Sequence, residues 1–271
     1  MNILLLGDVM GRAGRDAVAA HLPQLRRALD IDVAIVNAEN AAHGFGLTEK
    51  LCGELYEAGA DMLTTGNHVW DQRELIQYID RDPRLLRPAN FPEGTPGAGY
   101  RPHRLDDGRT LLAVNLMGRL FMDILDDPFA RLNAILAQYT LGQTADAIVV
   151  DFHGEATSEK MAFGHFADGR VSAVIGTHTH VPTADAQILP GGTGYISDLG
   201  MCGDYDSVIG MQKAPSVRRF VTRMPGEKPQ PAEGEATVCG VFVVTDDATG
   251  LARRIEPVRV GGRLAAYVPK P

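Results

Sequence analysis

Short apolar segments that each run straight into Asp, Asn, Glu or His constrain this chain more than any other feature. Asn2–Gly7 leads to Asp8, Asp32–Val36 to Asn37-Ala38-Glu39-Asn40, and Asp61–Leu63 to Gly66-Asn67-His68. Ala147–Asp151 leads to His153, and Val171–Ile175 to His178-Thr179-His180. Helix signals lie between and around them. A helical stretch reaches Leu29, Thr48 is a candidate N-cap for a helix to Ala58, and Asp127-Pro128 opens another helix. Asp71 and Glu74 have the spacing of a start signal for a helix over 72–79. Strand and helix in alternation predict an α/β fold with parallel strands. In such sheets ligands bind beyond the carboxyl ends of the strands, so five strand ends aim oxygen and nitrogen donors at one region.

The rest of the chain is quieter. Strands are expected at Tyr100–Arg104, Leu111–Asn115, Ala186–Leu189 and Gly194–Ile196, with a closing hairpin of Thr237–Thr245 and Ala252–Val260. Met224–Gly234 reads as a long surface loop, because the roughly 35 residues after it are too few for a separate domain; one domain over 1–271 is expected. No apolar run approaches the roughly 20 residues of a membrane span, and no basic residue precedes the first one, which argues against a signal peptide. Cys52, Cys202 and Cys239 are scattered and form no metal or disulfide pattern, as expected of reduced thiols in a cytoplasmic protein. The net charge of −8, with no Lys/Arg run longer than a pair, argues against an extended nucleic-acid groove. A small phosphate ligand stays compatible, because bound metal ions invert the local field. Subunit number is left open, a homo-oligomer included.

Asp8, Glu39, Asn40, Asn67, His153, His178 and His180 offer more donors than one ion could use while still binding substrate. Two ions could share them if one carboxylate bridges, and mixed O and N donors without thiolate suit Mn, Fe or Zn. In an extended segment His178 and His180 would point to the same side, whereas Glu39 and Asn40 both reach the site only if the chain has already left its strand. Arg12, Arg15 and Lys160 are read as solvated surface residues. Asp198, Asp204 and Asp206 are read as turn residues, and His43 is the one other histidine near the motifs.

These blocks resemble the calcineurin-like metallophosphoesterase superfamily, whose pattern runs D-x-H, GD-x-x-D, GN-H-[DE], H and GH-x-H. Gly66-Asn67-His68, His153 and Gly176-Thr177-His178-Thr179-His180 carry the likeness, and it spans residues 1–200. Met10 stands where a metal-binding His is usual, and Glu39 where the bridging Asp is usual. Both departures are similar to the bacterial YmdB-type branch, described as 2′,3′-cyclic nucleotide phosphodiesterases, as are Ala38-Glu39-Asn40-Ala41-Ala42 and Ser197-Asp198-Leu199-Gly200-Met201. The resemblance implies a four-layer αββα sandwich and two ions, iron or manganese. Asp8, Glu39, Asn40 and His180 would hold one ion, and Glu39 would bridge to a second held by Asn67, His153 and His178. Asn40 then replaces the missing histidine with a neutral donor, and with a bridging hydroxide the centre sums to about +1.

The expected activity is hydrolysis of small phosphodiesters such as 2′,3′-cAMP, by a hydroxide attacking in line. His68, beside Asn67 but outside the ligand set, is the expected general acid, with Asp71 as its orienting partner or a helix cap. Two other readings stand beside this one: a phosphomonoesterase or 5′-nucleotidase, and a regulator that senses nucleotides without turnover. A pure binding site has no need of a non-ligand histidine, which separates the last.

Overall fold

A computed structural model describes residues 1–226 and 228–270. In chain order its strands are β1 (Asn2–Leu6), β2 (Asp8–Val9), β3 (Val33–Asn37), β4 (Met62–Thr64), β5 (Tyr100–Arg104), β6 (Thr110–Met117) and β7 (Ala147–His153). Then come β8 (Ala173–Thr177), β9 (Gln187–Ile188), β10 (Gly194–Ile196), β11 (Met201–Asp204), β12 (Ala236–Thr245) and β13 (Ala252–Val260). The helices are α1 (Gly11–Ala28), α2 (Glu49–Glu57), α3 (Leu75–Tyr78), α4 (Pro128–Leu136), α5 (Thr157–Ala167) and α6 (Lys213–Thr222).

Two sheets form. One has the order β2-β11-β12-β1-β3-β4, with β13 also paired to β12; the other runs β5-β6-β7-β8-β10-β9. The pairs β1·β3, β3·β4, β6·β7 and β7·β8 are parallel, as the alternation predicts. Period-two alternation sends successive side chains to opposite faces. Ile3 and Leu5 of β1 therefore meet Ala113, Val149 and Ile175 of the other sheet in a central core. Leu4 and Leu6 face outward onto Val18, Leu22 and Leu25 of α1 and Leu55 of α2. On the far side Leu112, Val114 and Val150 pack on Leu132 of α4 and Phe163 of α5. The result is a four-layer αββα sandwich. Both faces of each sheet are covered, and that is why the strands read as nearly unbroken apolar runs.

Local signals hold where the chemistry is local. Thr48 Oγ1 accepts from Leu51 N at 3.3 Å and Asp127 Oδ1 from Phe129 N at 2.9 Å, each capping its helix. The helix expected over 72–79 is a single turn, Leu75–Tyr78, followed by a short 3₁₀ turn. Its intended cap is used elsewhere: Asp71 bonds to His68, and Glu74 accepts from Glu49 N at 3.3 Å. The three cysteines are buried and free. None of the described helices is long and apolar enough to cross a membrane.

Candidate metal centre

The carboxyl ends of the parallel strands converge on a cavity of about 280 Å³ lined by Glu39, Asn40, Phe45, His68, His178 and His180, with Met10 at its wall. The chain leaves β3 at Asn37, and Glu39 and Asn40 occupy the turn that follows; this lets both side chains face the same space. Asp8 is fully buried in β2, and His153 is the buried last residue of β7.

The donors fall into two groups. In the first, His153 Nε2 faces Glu39 Oε1 at 3.1 Å, Asn67 Oδ1 at 3.0 Å and His178 Nδ1 at 3.0 Å. One ring nitrogen carries at most one proton and cannot satisfy three acceptors. In the second, His180 Nδ1 donates to Ile209 O at 2.8 Å. In a neutral ring with that tautomer Nε2 carries a lone pair, and it faces Asn40 Oδ1 at 3.2 Å and Asp8 Oδ1 at 3.9 Å. Asn40 cannot relieve this by turning its amide, because its Nδ2 donates to Gly44 O at 3.0 Å. Asp8 Oδ1 is buried with no hydrogen-bond partner. Lone pairs facing lone pairs in a buried site mark the places where cations fit, and this donor set suits transition-metal ions.

Charge follows the same geometry. Burial raises the Asp8 carboxyl to about 6. Burial opposes a charged His153 too, but the adjoining Glu39 carboxylate outweighs it and lifts the imidazole to about 9. Glu39, also resisted by burial, is drawn down to about 2 by the same contact. Burial and the nearby His153 charge push His178 down to about 3, which keeps it a neutral donor. Gly66 makes room for this crowd: a Cβ there would lie 2.3 Å from both Glu39 Oε2 and the His153 ring.

The extended conformation expected for His178-Thr179-His180 is not adopted. Both histidines have positive φ, 105° and 66°, and the left-handed backbone splits the rings between the two groups instead of aligning them. Holding β-carbon residues there costs about 1–3 kcal/mol each, and the surroundings over-determine it. Lys160 Nζ donates to Thr177 O at 2.8 Å and to Asp198 Oδ2 at 2.7 Å, and Thr179 N donates to the same carboxylate at 3.0 Å. Lys160 is thus not a solvated residue: both members of its ion pair are 2% exposed. Asp198 does serve its turn, accepting from Gly200 N at 2.8 Å, but also anchors the histidine loop. Arg15 is held by Ala41 O and is not free in solvent, whereas Arg12 is exposed.

His68 lies at the rim. Its backbone N donates to Glu39 Oε2 at 3.2 Å, and its Nδ1 bonds to Asp71 Oδ2 at 2.8 Å. Phe45 packs edge-on against the ring at a centroid distance of 5.2 Å. Asp71 is therefore an orienting partner and not a helix cap. His43 is exposed and lines no part of the cavity. Two residues escape sequence reading. Buried Asp151 accepts from Thr64, Thr177 and Asn37, and Thr177 Oγ1 in turn meets His153 Nδ1 at 2.9 Å, fixing which His153 nitrogen faces the donors. Glu155 Oε2 lies 3.3 Å from His178 Nε2. Their positions, two residues either side of His153, were the available signal.

The YmdB-like protein family model matches residues 4–258. The chain is 48% identical over 260 residues to the 2′,3′-cyclic-nucleotide 2′-phosphodiesterase of Bacillus subtilis (strain 168), covering 96% of this chain and 97% of that one. Among solved structures, a hypothetical protein from Thermus thermophilus superposes with a TM-score of 0.90 at 43% identity, over 97% of this chain and all of that one. The calcineurin-like phosphoesterase YfkN of Bacillus subtilis matches in fold alone, with a TM-score of 0.55 at 13% identity over 96% of this chain and 90% of that one. On sequence and architecture together, the chain belongs to the YmdB-like family.

Proposed function

We propose that this protein is a metal-dependent phosphodiesterase of small substrates, with 2′,3′-cyclic nucleotides such as 2′,3′-cAMP as its preferred class. Membership of the phosphoester hydrolases follows from its relatives. The observation that carries the finer reading is the pair of donor groups whose facing lone pairs outnumber the protons between them. Asp8, Asn40 and His180 would hold one ion, Asn67, His153 and His178 a second, with Glu39 between them; iron or manganese suits these donors. Such ions would polarise the phosphoryl group and acidify a water.

The chain's own side chains do the rest. Asp71 takes the His68 Nδ1 proton as a hydrogen bond while Phe45 packs on the ring, so Nε2 is the nitrogen left to hand a proton to the departing ribose oxygen. An alkoxide is a poor leaving group at neutral pH, so this proton should contribute about 10²–10⁴-fold. The Asp151–Thr177 relay and Glu155 hold His153 and His178 in orientation. Three buried free thiols accord with a reducing, cytoplasmic setting.

The test is His68→Ala assayed on a cyclic-nucleotide panel and on bis(p-nitrophenyl) phosphate, with metal content measured in parallel. The expected variant keeps its metals, loses about 10²–10⁴-fold in kcat on cyclic nucleotides, and loses far less on the aryl diester, whose phenolate leaves unprotonated. Equal losses on both substrates would make His68 a phosphate-positioning group, and loss of metal would make it a ligand.

A further inference from the structure

Two acids line the cavity of the candidate metal centre, and they differ in setting: Glu39 is buried, whereas the Glu155 side chain is half-exposed. Glu155 is placed there by the short turn Gly154-Glu155-Ala156, between the last residue of β7, His153, and the first of α5, Thr157. Gly154 N donates to Thr177 O at 3.3 Å, which ties the turn to the end of β8 beside His178. Glu155 Oε2 then meets His178 Nε2 at 3.3 Å, while Nδ1 of the same ring faces His153. The carboxylate therefore stands outside the Glu39, His153 and His178 cluster that could share an ion, one imidazole ring away from it. Its charge is uncompensated. A metal-bound imidazole is neutral, so the contact with His178 cancels none of it. Among the described residues no lysine or arginine lies within ion-pair distance of Glu155, and none lines the cavity. Lys228 Nζ comes within 6.0 Å of the Phe45 centroid but is not part of the lining.

A phosphodiester carries one negative charge. A phosphomonoester carries close to two at neutral pH, because its second ionisation falls at about pH 6. Arginine or lysine is the usual counterpart of that second charge; this cavity presents a carboxylate instead. We propose that Glu155 is a specificity-determining residue that restricts the centre to diesters, by repelling the second charge of a monoester. The same repulsion acts on the product. Hydrolysis forms one P–O bond to the attacking hydroxide and breaks one to the ribose oxygen, which leaves with a proton. The new monoester then loses its own second proton to solvent, so a monoanion enters the site and a dianion leaves it. Glu155 hastens that departure.

This inference rests on the phosphodiesterase reading, and its test uses the metal-loaded protein with two substrates that share a leaving group, bis(p-nitrophenyl) phosphate and p-nitrophenyl phosphate. Glu155→Gln removes the charge but keeps an amide oxygen to accept from His178 Nε2. Its monoester-to-diester ratio of kcat/KM should rise about tenfold or more over wild type, the order expected of a unit charge a few ångströms away. The inhibition constant of 3′-AMP against the aryl diester should fall by a similar factor, with metal content unchanged. Glu155→Ala, which also frees His178, should show the same change in ratio with an added loss of kcat on both substrates. An unchanged ratio and inhibition constant in Glu155→Gln, or an equal loss on both esters, overturns the proposal and leaves Glu155 a support for His178. Loss of metal from Glu155→Gln overturns it as well, by making the carboxylate a ligand. If 2′,3′-cAMP is not hydrolysed while the aryl pair responds as expected, the cyclic-nucleotide reading falls and the charge selection stands.

Discussion

Glu39 is the residue proposed to join the two donor groups. It touches His153 through one oxygen and the His68 backbone through the other, and it brings negative charge where Asn40 brings a neutral amide. Glu39→Gln should therefore release more metal than Asn40→Ala, measured by elemental analysis of protein purified with the metal in excess. Equal retention would count against a bridging Glu39. Proton competition gives a second outcome. In the metal-free chain His153 sits at about 9 and Glu39 at about 2, so near neutrality they form an ion pair. Loading an ion on His153 displaces its proton. The group's pKa is raised, so the proton is held below about 9 and metal affinity climbs as pH rises towards that value. Chelator competition between about pH 6 and pH 8 measures this; an affinity that stays flat would mean His153 is already neutral before loading.

Elements were legible wherever their signal was local. The caps at Thr48 and Asp127, the strand Tyr100–Arg104 and the closing hairpin depend on residues adjacent in sequence. Four features are not disclosed by the sequence. α3 is shortened because Asp71 serves His68. α6 shows no core-facing stripe because it buries nothing. The sign of φ at His178 and His180 is not written in residue type, and a buried Lys160 runs against the strong preference of lysine for the surface. The gathering of the seven donors was legible, because strand ends share one edge; their division into two groups came from the family resemblance alone, because the left-handed backbone that accompanies it is not written in residue type. The buried Lys160–Asp198 pair is the element-scale test of that loop. Lys160→Met strands an unpaired carboxylate under Thr179, and should cost about 3–5 kcal/mol in urea unfolding. Lys160→Met combined with Asp198→Asn should recover part of it. A loss below about 1 kcal/mol would show that the pair does not hold the histidine loop.

At the scale of the molecule the candidate metal centre sits where both sheets end, with Asp8 from one and His153 from the other. Ions bound there would tie the layers together, so thermal stability should rise with Mn²⁺ or Fe²⁺ and fall with a chelator, in proportion to RT ln(1 + [L]/Kd). Scanning calorimetry that finds no shift would place the donors outside any bound ion. The sheet order has another consequence. β12 pairs with the first strand from Asn2↔Val244 to Leu6↔Gly240, and the Gly7 amide donates to Cys239 O at 3.0 Å. During synthesis, all seven donors leave the ribosome before this strand does. Until it arrives, β1 has β3 as its only sheet neighbour and one bare, aggregation-prone edge. Metal acquisition by a nascent chain should therefore lag until β12 has docked on β1, and the interval before it docks is when a chaperone has most to protect.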